Sequence, residues 1–232
     1  MASALSPEGR RPSGGVCKLN YSRPSLLSRL NDRIARKIFR DRAGYGRPIP
    51  KEALDLEYST GHWDHFFAFD ELPRNLVLAG AVNHLFKRPS VLDLGCGSGR
   101  LAAIFQTYPF SRYLGVDLSS EGIARARALN LPSMDFIEGD FETWRPDRCF
   151  DAIIFNECIG YARDPAATLK GFGPHLTEGG SFFLSHFRFG NYAAQWRRME
   201  KVCSVAAATA VISPKGQVWD IKVLRLRPAS YA

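Results

Sequence analysis

Residues 91–101 read VLDLGCGSGRL, and this short stretch concentrates the chain's chemical signal. An apolar run holds Asp93, a loop carries Gly95, Gly97 and Gly99, and a helix is expected from about Arg100. Glycines at such a corner remove Cβ atoms, so the backbone can approach a ligand closely and adopt dihedrals that other residues avoid. The first turn of a helix behind them offers N–H groups to an anion. Spacing narrows the choice of ligand. Dinucleotide sites use G-x-G-x-x-G, whose third glycine permits tight helix–strand packing. Here the spacing is G-x-G-x-G, and Arg100 stands where that third glycine belongs. An acid two positions before the first glycine also suits a ligand with an ammonium group near the loop. S-adenosyl-L-methionine, with an α-amino-acid end and no phosphate, answers that description.

Two further acids follow at a regular interval. Asp117, in YLGVDLSS and followed by Leu118, is expected at the end of a second strand. A carboxylate there can accept hydrogen bonds from ribose hydroxyls, although nicotinamide enzymes use the same device and a helix cap would use the same residue. FIEGDFETW (136–144) puts Asp140 and Phe141 just past a third strand. A carboxylate beside an aromatic ring suits the amino group and ring of adenine; a loop Asp also serves as a turn residue. Three acids at consecutive strand ends fall on one edge of a sheet, the edge where α/β folds bind ligands.

The elements that must position these residues alternate. Strands are expected at Ser90–Leu94, Tyr113–Asp117, Met134–Glu138, Asp151–Asn156 and Ser181–His186. Helices are expected from about Leu72, at Arg100–Thr107, at Ser120–Ala128 and near Ala166–Gly171. That alternation implies a parallel α/β sheet covered on both faces. Cys203–Ile212 and Val218–Leu226, joined by a Pro214-Lys215-Gly216 turn, read instead as an antiparallel hairpin. The expected organisation is a disordered basic tail at 1–24, a basic amphipathic helix and linker at 25–55, and one domain at 56–232.

Charge follows that division. The net charge is +8, but residues 1–55 carry 12 Lys/Arg against 5 Asp/Glu and the remainder 19 against 18. A nearly neutral domain argues against a nucleic-acid partner. The basic helix could lie on an anionic membrane surface or dock on its own domain. Five scattered cysteines, an odd number with no C-x-x-C pair, argue against a disulfide framework or zinc site and fit a reducing cytoplasm. The first residues lack the apolar segment of a secretory signal.

VLDLGCGSG, the Asp of YLGVD, EGDFE, FDAIIFNE and LTEGGSFFLS resemble, in order, the successive motifs of class I S-adenosylmethionine-dependent methyltransferases. The resemblance spans roughly residues 55–226. It implies a Rossmann-like, mostly parallel seven-stranded sheet with helices on both faces and an antiparallel C-terminal hairpin. It also implies a cradle for the methionine end at Asp93–Gly99, Cys96 included, with Asp117 on the ribose and Asp140 and Phe141 at the adenine. Asn156 and Glu157 would then lie beside the methyl group. The S-T-G-H-W-D block, the NE…GY segment and the closing WDIKVLRL are similar to methyltransferases of bacterial surface-polysaccharide biosynthesis, which implies a small-molecule or carbohydrate-like acceptor. Where the family has an aromatic pair after the NE segment, this chain has Gly160-Tyr161. A hydroxyl acceptor needs a general base; Glu157, His186 and His62 are the candidates, and a histidine at a strand end serves equally as a structural residue. Tyr58 and Trp63 read as an aromatic lid over the cofactor or as core. Rival readings are a nicotinamide-dependent oxidoreductase and a non-catalytic binding module.

Overall fold

The computed structural model describes residues 48–228. The expected tail (1–24) and most of the expected N-terminal segment (25–55), including the basic helix, lie outside the described residues. Among the described residues seven strands form one sheet: β1 (Ser90–Leu94), β2 (Arg112–Asp117), β3 (Met134–Glu138), β4 (Phe150–Asn156), β5 (Leu176–Phe187), β6 (Cys203–Ile212) and β7 (Val218–Leu226). Their order is β3-β2-β1-β4-β5-β7-β6. The first five pair in parallel, whereas β7 runs antiparallel to both β5 and β6. The chain steps one way from β1 to β3 and the other way from β4 to β5. A crevice therefore opens at the strands' C-terminal ends between β1 and β4, the usual ligand position in such sheets.

Among the described residues six α-helices accompany the sheet: α1 (Lys51–Ser59), α2 (Leu72–Leu85), α3 (Arg100–Phe105), α4 (Ser120–Ala128), α5 (Pro165–Phe172) and α6 (Tyr192–Val202). Alternation along β1 sends Val91 into one core and Leu92 and Leu94 into the other. The first core packs Leu78 and Val82 of α2, Leu101 and Phe105 of α3 and Ile123 of α4 against the sheet. The second holds Leu169 and Phe172 of α5 and Trp196 and Met199 of α6. Caps fix the helix starts: Ser119 accepts from the Gly122 N–H, and Asp164 from those of Ala166 and Ala167.

α1 spans residues 55/56, where the sequence reading placed a boundary. Two expectations are corrected. α6 occupies a stretch for which the sequence suggested no element, burying Gln195, Trp196 and Met199 at helical spacing. β5 begins five residues before Ser181, because Leu176 pairs with Phe150 ahead of a register shift.

Candidate active site

The loop after β1 turns through Gly95, Gly97 and Gly99 at φ +68°, +55° and +81°. A side chain would be strained at each, and two positions lack the room for one. A Cβ on Gly95 would lie 2.5 Å from Cys158 Cβ, and one on Gly97 would lie 2.5 Å from the Tyr58 hydroxyl. Part of the loop's backbone is bonded within the fold: Gly95 and Cys96 donate to the Val116 carbonyl at 2.8 and 3.1 Å, and Gly97 donates to Asp117 Oδ2 at 2.8 Å. This is a corner for close approach.

Asp93 lies buried beneath the loop. Its Oδ2 accepts a 2.5 Å bond from the Tyr113 hydroxyl, while Oδ1 has no hydrogen-bond partner. Burial pushes this carboxyl up to about 7 against the pull of Tyr113, and the charge of Asp117 adds to the rise. Asp117 is also buried. Desolvation raises it to about 6, although Ser119 and Gly97 donate N–H groups to Oδ1 and Oδ2. An unpartnered buried carboxylate oxygen and a second desolvated acid suit a ligand that brings an ammonium group and hydroxyl donors. The residues present therefore fit S-adenosylmethionine.

Above the loop is a cavity of about 430 Å³ at the β1/β4 crevice. Tyr58, Trp63, Gly95, Asp117, Leu118, Asp140, Phe141, Asn156 and Glu157 line it, so most of the residues singled out in the sequence meet there. Asp140 is anchored by the Glu142 N–H on Oδ1, and Phe141 meets Phe155 edge-to-face at 5.9 Å. Asp93, Cys96, Gly97 and Gly99 form the layer beneath. The Cys96 sulfur faces β2, where it would touch a Cβ on Gly115.

Tyr58 reaches the cavity because α1 is fastened to the start of α4. Asp55 Oδ1 accepts from Ser119 Oγ at 2.6 Å and from the Glu121 N–H at 3.2 Å. Its Oδ2 takes the Lys51 ammonium at 2.9 Å. Burial opposes the Asp55 charge, but the bonds from Ser119 and Lys51 outweigh it and hold the carboxyl well below its usual range. The Tyr58 ring then wedges between Gly97 and Gly122. Burial, followed by the Asp117 charge, drives its phenol well above the ordinary value.

Glu157 follows β4 with φ +64°, a left-handed conformation unusual for a side-chain-bearing residue. That turn aims its carboxylate back toward β5. Oε1 is bound by Ser185 Oγ at 2.7 Å and Oε2 by the Phe187 N–H at 3.0 Å. Asn156 accepts from Arg74 on its carbonyl oxygen, competes with Glu157 for the single Ser185 hydroxyl proton at 2.8 Å, and donates to Asn75 at 2.9 Å. Arg74 and Glu71, both buried on or beside α2, pair at 2.8 Å. Glu71, Arg74, Asn75 and Ser185 were not singled out in the sequence. The available signal was a charged, polar Arg74-Asn75 step in the first turns of a largely apolar helix.

Neither histidine joins this group. His186 is buried with Nε2 2.5 Å from Gln195 Oε1 and its ring edge-on to Trp196, outside the cavity lining. Its position on β5 turns it toward α6. His62 is exposed on the short helix His62–Phe67 and packs on Trp63 at 4.9 Å, also outside the lining. Among the described residues no cluster could hold a metal ion, and no helix is long and apolar enough to cross a membrane.

Known proteins share the sequence family and the fold. Trans-aconitate 2-methyltransferase of Escherichia coli O139:H28 is 39% identical over 75 residues, 32% of this chain and 29% of that enzyme. The match thus spans less than a third of the curated relative's length. The fold is similar to N-methyltransferase NodS from Bradyrhizobium japonicum WM9 in complex with S-adenosyl-L-homocysteine, with a TM-score of 0.64 at 15% identity, covering 77% of this chain and 98% of that one. It is similar to the plantazolicin methyltransferase BpumL, at a TM-score of 0.60 and 15% identity over 88% and 100% of the two chains. The [4+2]-cyclase SpnF shares it as well, at 0.55 and 14% identity over 65% and 80%. Residues 62–206 match the family described as the methyltransferase domain, so the chain belongs to the class I S-adenosylmethionine-dependent methyltransferases.

Proposed function

We propose that this protein transfers a methyl group from S-adenosylmethionine to an oxygen or nitrogen atom of a small-molecule or carbohydrate-like acceptor. A fold shared with a cyclase does not fix the reaction, so the proposal rests on the site. The observation that carries it is the cavity over the glycine corner, lined by Asp117 and Asp140, with the unpartnered Asp93 oxygen in the layer beneath. A ligand with two ribose hydroxyls and an adenine amine would find acceptors at Asp117 and Asp140, and its ammonium end a carboxylate below the loop.

In this reading the Asp93 orphan oxygen attracts the ammonium end, Asp117 receives the ribose hydroxyls, and Asp140 with Phe141 holds the adenine. The cofactor contributes a methyl carbon bonded to a positively charged sulfur. The chain's own task is alignment: Asn156 and Glu157, immobilised by Arg74, Asn75, Ser185 and the Phe187 N–H, orient the acceptor for in-line attack, which supplies much of the rate. Glu157 is also the group placed to take the acceptor's proton. Tyr58 and Trp63 exclude water from above. The four described cysteines are unpaired thiols, which fits a reducing, cytoplasmic setting.

Calorimetry with S-adenosylhomocysteine tests the reading. Asp117→Ala is expected to weaken binding by about 1–3 kcal/mol, the scale of lost charge-assisted hydrogen bonds. Unchanged affinity would reduce Asp117 to a clasp between the loop and α4.

A further inference from the structure

We infer that the acceptor is an amine carried on an apolar or aromatic body, bound as its ammonium form opposite Glu157; this rests on the methyltransferase reading above. Among the described residues, the cavity's acidic side chains are Glu52, Asp117, Asp140, Glu142 and Glu157. Against them stands Lys51, whose ammonium is already held by Asp55 at 2.9 Å and lies 3.3 Å from Glu138, and Arg163 reaches Glu142 at 3.9 Å from an exposed position. The buried cation beside Asn156, Arg74, is matched by Glu71 at 2.8 Å. S-adenosylmethionine, with two positive groups and one negative, answers only part of this surplus. A carboxylate acceptor would enter a field of its own sign, and like-charge juxtaposition is costly in a site of low dielectric.

The cavity walls give a second, independent reason. Trp63 and Phe66 stack at 5.3 Å with planes 7° apart, the Arg74 guanidinium already lies over the Phe66 ring at 5.7 Å, and both rings line the cavity with Tyr161 and Phe141. Aromatic faces attract cations and accept apolar bodies. Glu157 is fixed on both oxygens, by Ser185 and the Phe187 N–H, and by its own left-handed backbone. A carboxylate immobilised in this way is a stationary counter-charge. The bound ammonium must first lose a proton, through Glu157 to solvent. The nitrogen lone pair then forms the N–C bond as the C–S bond breaks and its electron pair returns to sulfur. The methylated ammonium sheds a second proton to solvent if it leaves as the free amine.

The experiment uses three probes of matched shape: phenethylamine, 2-phenylethanol and 3-phenylpropionate. Each is titrated into the full-length protein saturated with S-adenosylhomocysteine. Prior stabilisation by S-adenosylhomocysteine tests the methyltransferase reading separately. Its failure would remove that reading, whereas success followed by the wrong probe preference removes only the amine. The expected result is that the amine binds more tightly than the alcohol and the carboxylate, and that Glu157→Gln weakens the amine about ten- to hundredfold, the range of a lost charge-assisted bond. S-adenosylhomocysteine affinity stays unchanged in that variant. Equal or tighter binding of the carboxylate or alcohol, binding of none of the three, or an amine affinity indifferent to Glu157→Gln overturns the inference.

Discussion

Asp93 sits at the finest scale of the account: one carboxylate oxygen bonded to Tyr113, the other without a partner. Its folded value of about 7 lies above the ordinary 3.8, so the folded protein holds this proton more tightly than an unfolded chain does. The resulting stability is fully present below about pH 3.8 and is lost as pH rises through about 7. Asp117 follows the same sign with an upper limit of about 6. A ligand that offers an ammonium group to Asp93 favours the charged form. S-adenosylhomocysteine is therefore expected to bind more tightly at pH 8 than at pH 5.5, and Asp93→Asn is expected to flatten that rise. Calorimetry across the range checks it; a wild-type affinity independent of pH would separate Asp93 from the ligand. Gly97 makes a steric counterpart. Valine there meets the Tyr58 hydroxyl at a φ of +55° and should abolish cofactor binding while costing about 1–3 kcal/mol of stability. Normal binding by a folded Gly97→Val variant would contradict the close approach assigned to the loop.

Among the elements, α1 and α2 perform the positioning. Asp55 caps α4 from a different helix, and that bond carries Tyr58 over the glycine corner. Asp55→Ala should weaken S-adenosylhomocysteine binding and expose the 48–60 segment to limited proteolysis, with the sheet's melting nearly unaltered. Protection equal to wild type would show that the wedge of Tyr58 alone holds α1. On α2, Arg74 and Glu71 form a buried pair, and removing one partner leaves the other's charge stranded. Arg74→Ala is expected to lower unfolding stability by about 3–5 kcal/mol in a urea titration. A loss below 1 kcal/mol would mean that water replaces the guanidinium. The strand–helix alternation was legible because β1 and β4 are apolar runs bounded by glycine and acid. α6 was not, because its buried face consists of Gln195, Trp196 and Met199 set among charged residues. α1 was hidden by prolines at 48 and 50 and by a docking made of polar bonds, which leave no hydrophobic period.

For the whole molecule, the same logic divides what sequence can and cannot hold. Asp93, Asp117 and Asp140 were readable because parallel strands deliver successive strand ends to one edge, so spacing alone brings them together. His62 and His186 were not separable from Glu157 by spacing. The pleat and the neighbouring α6 decide that His186 meets Gln195 instead of the cavity. Arg74, Asn75 and Ser185 were hidden for the converse reason: they are distant from Asn156 in sequence and converge only when α2 crosses the end of β4 and β5. The chain's distinctive feature at this scale is a cavity at the sheet edge that gathers acidic side chains from successive strand ends. The measurement that bears most directly on it is calorimetric titration of the full-length protein with S-adenosylhomocysteine and, separately, with NADH. The expected result is saturable binding of S-adenosylhomocysteine that Asp140→Ala weakens, and no heat from NADH. Binding of NADH at the same site, or no binding of S-adenosylhomocysteine by a folded protein, would contradict it.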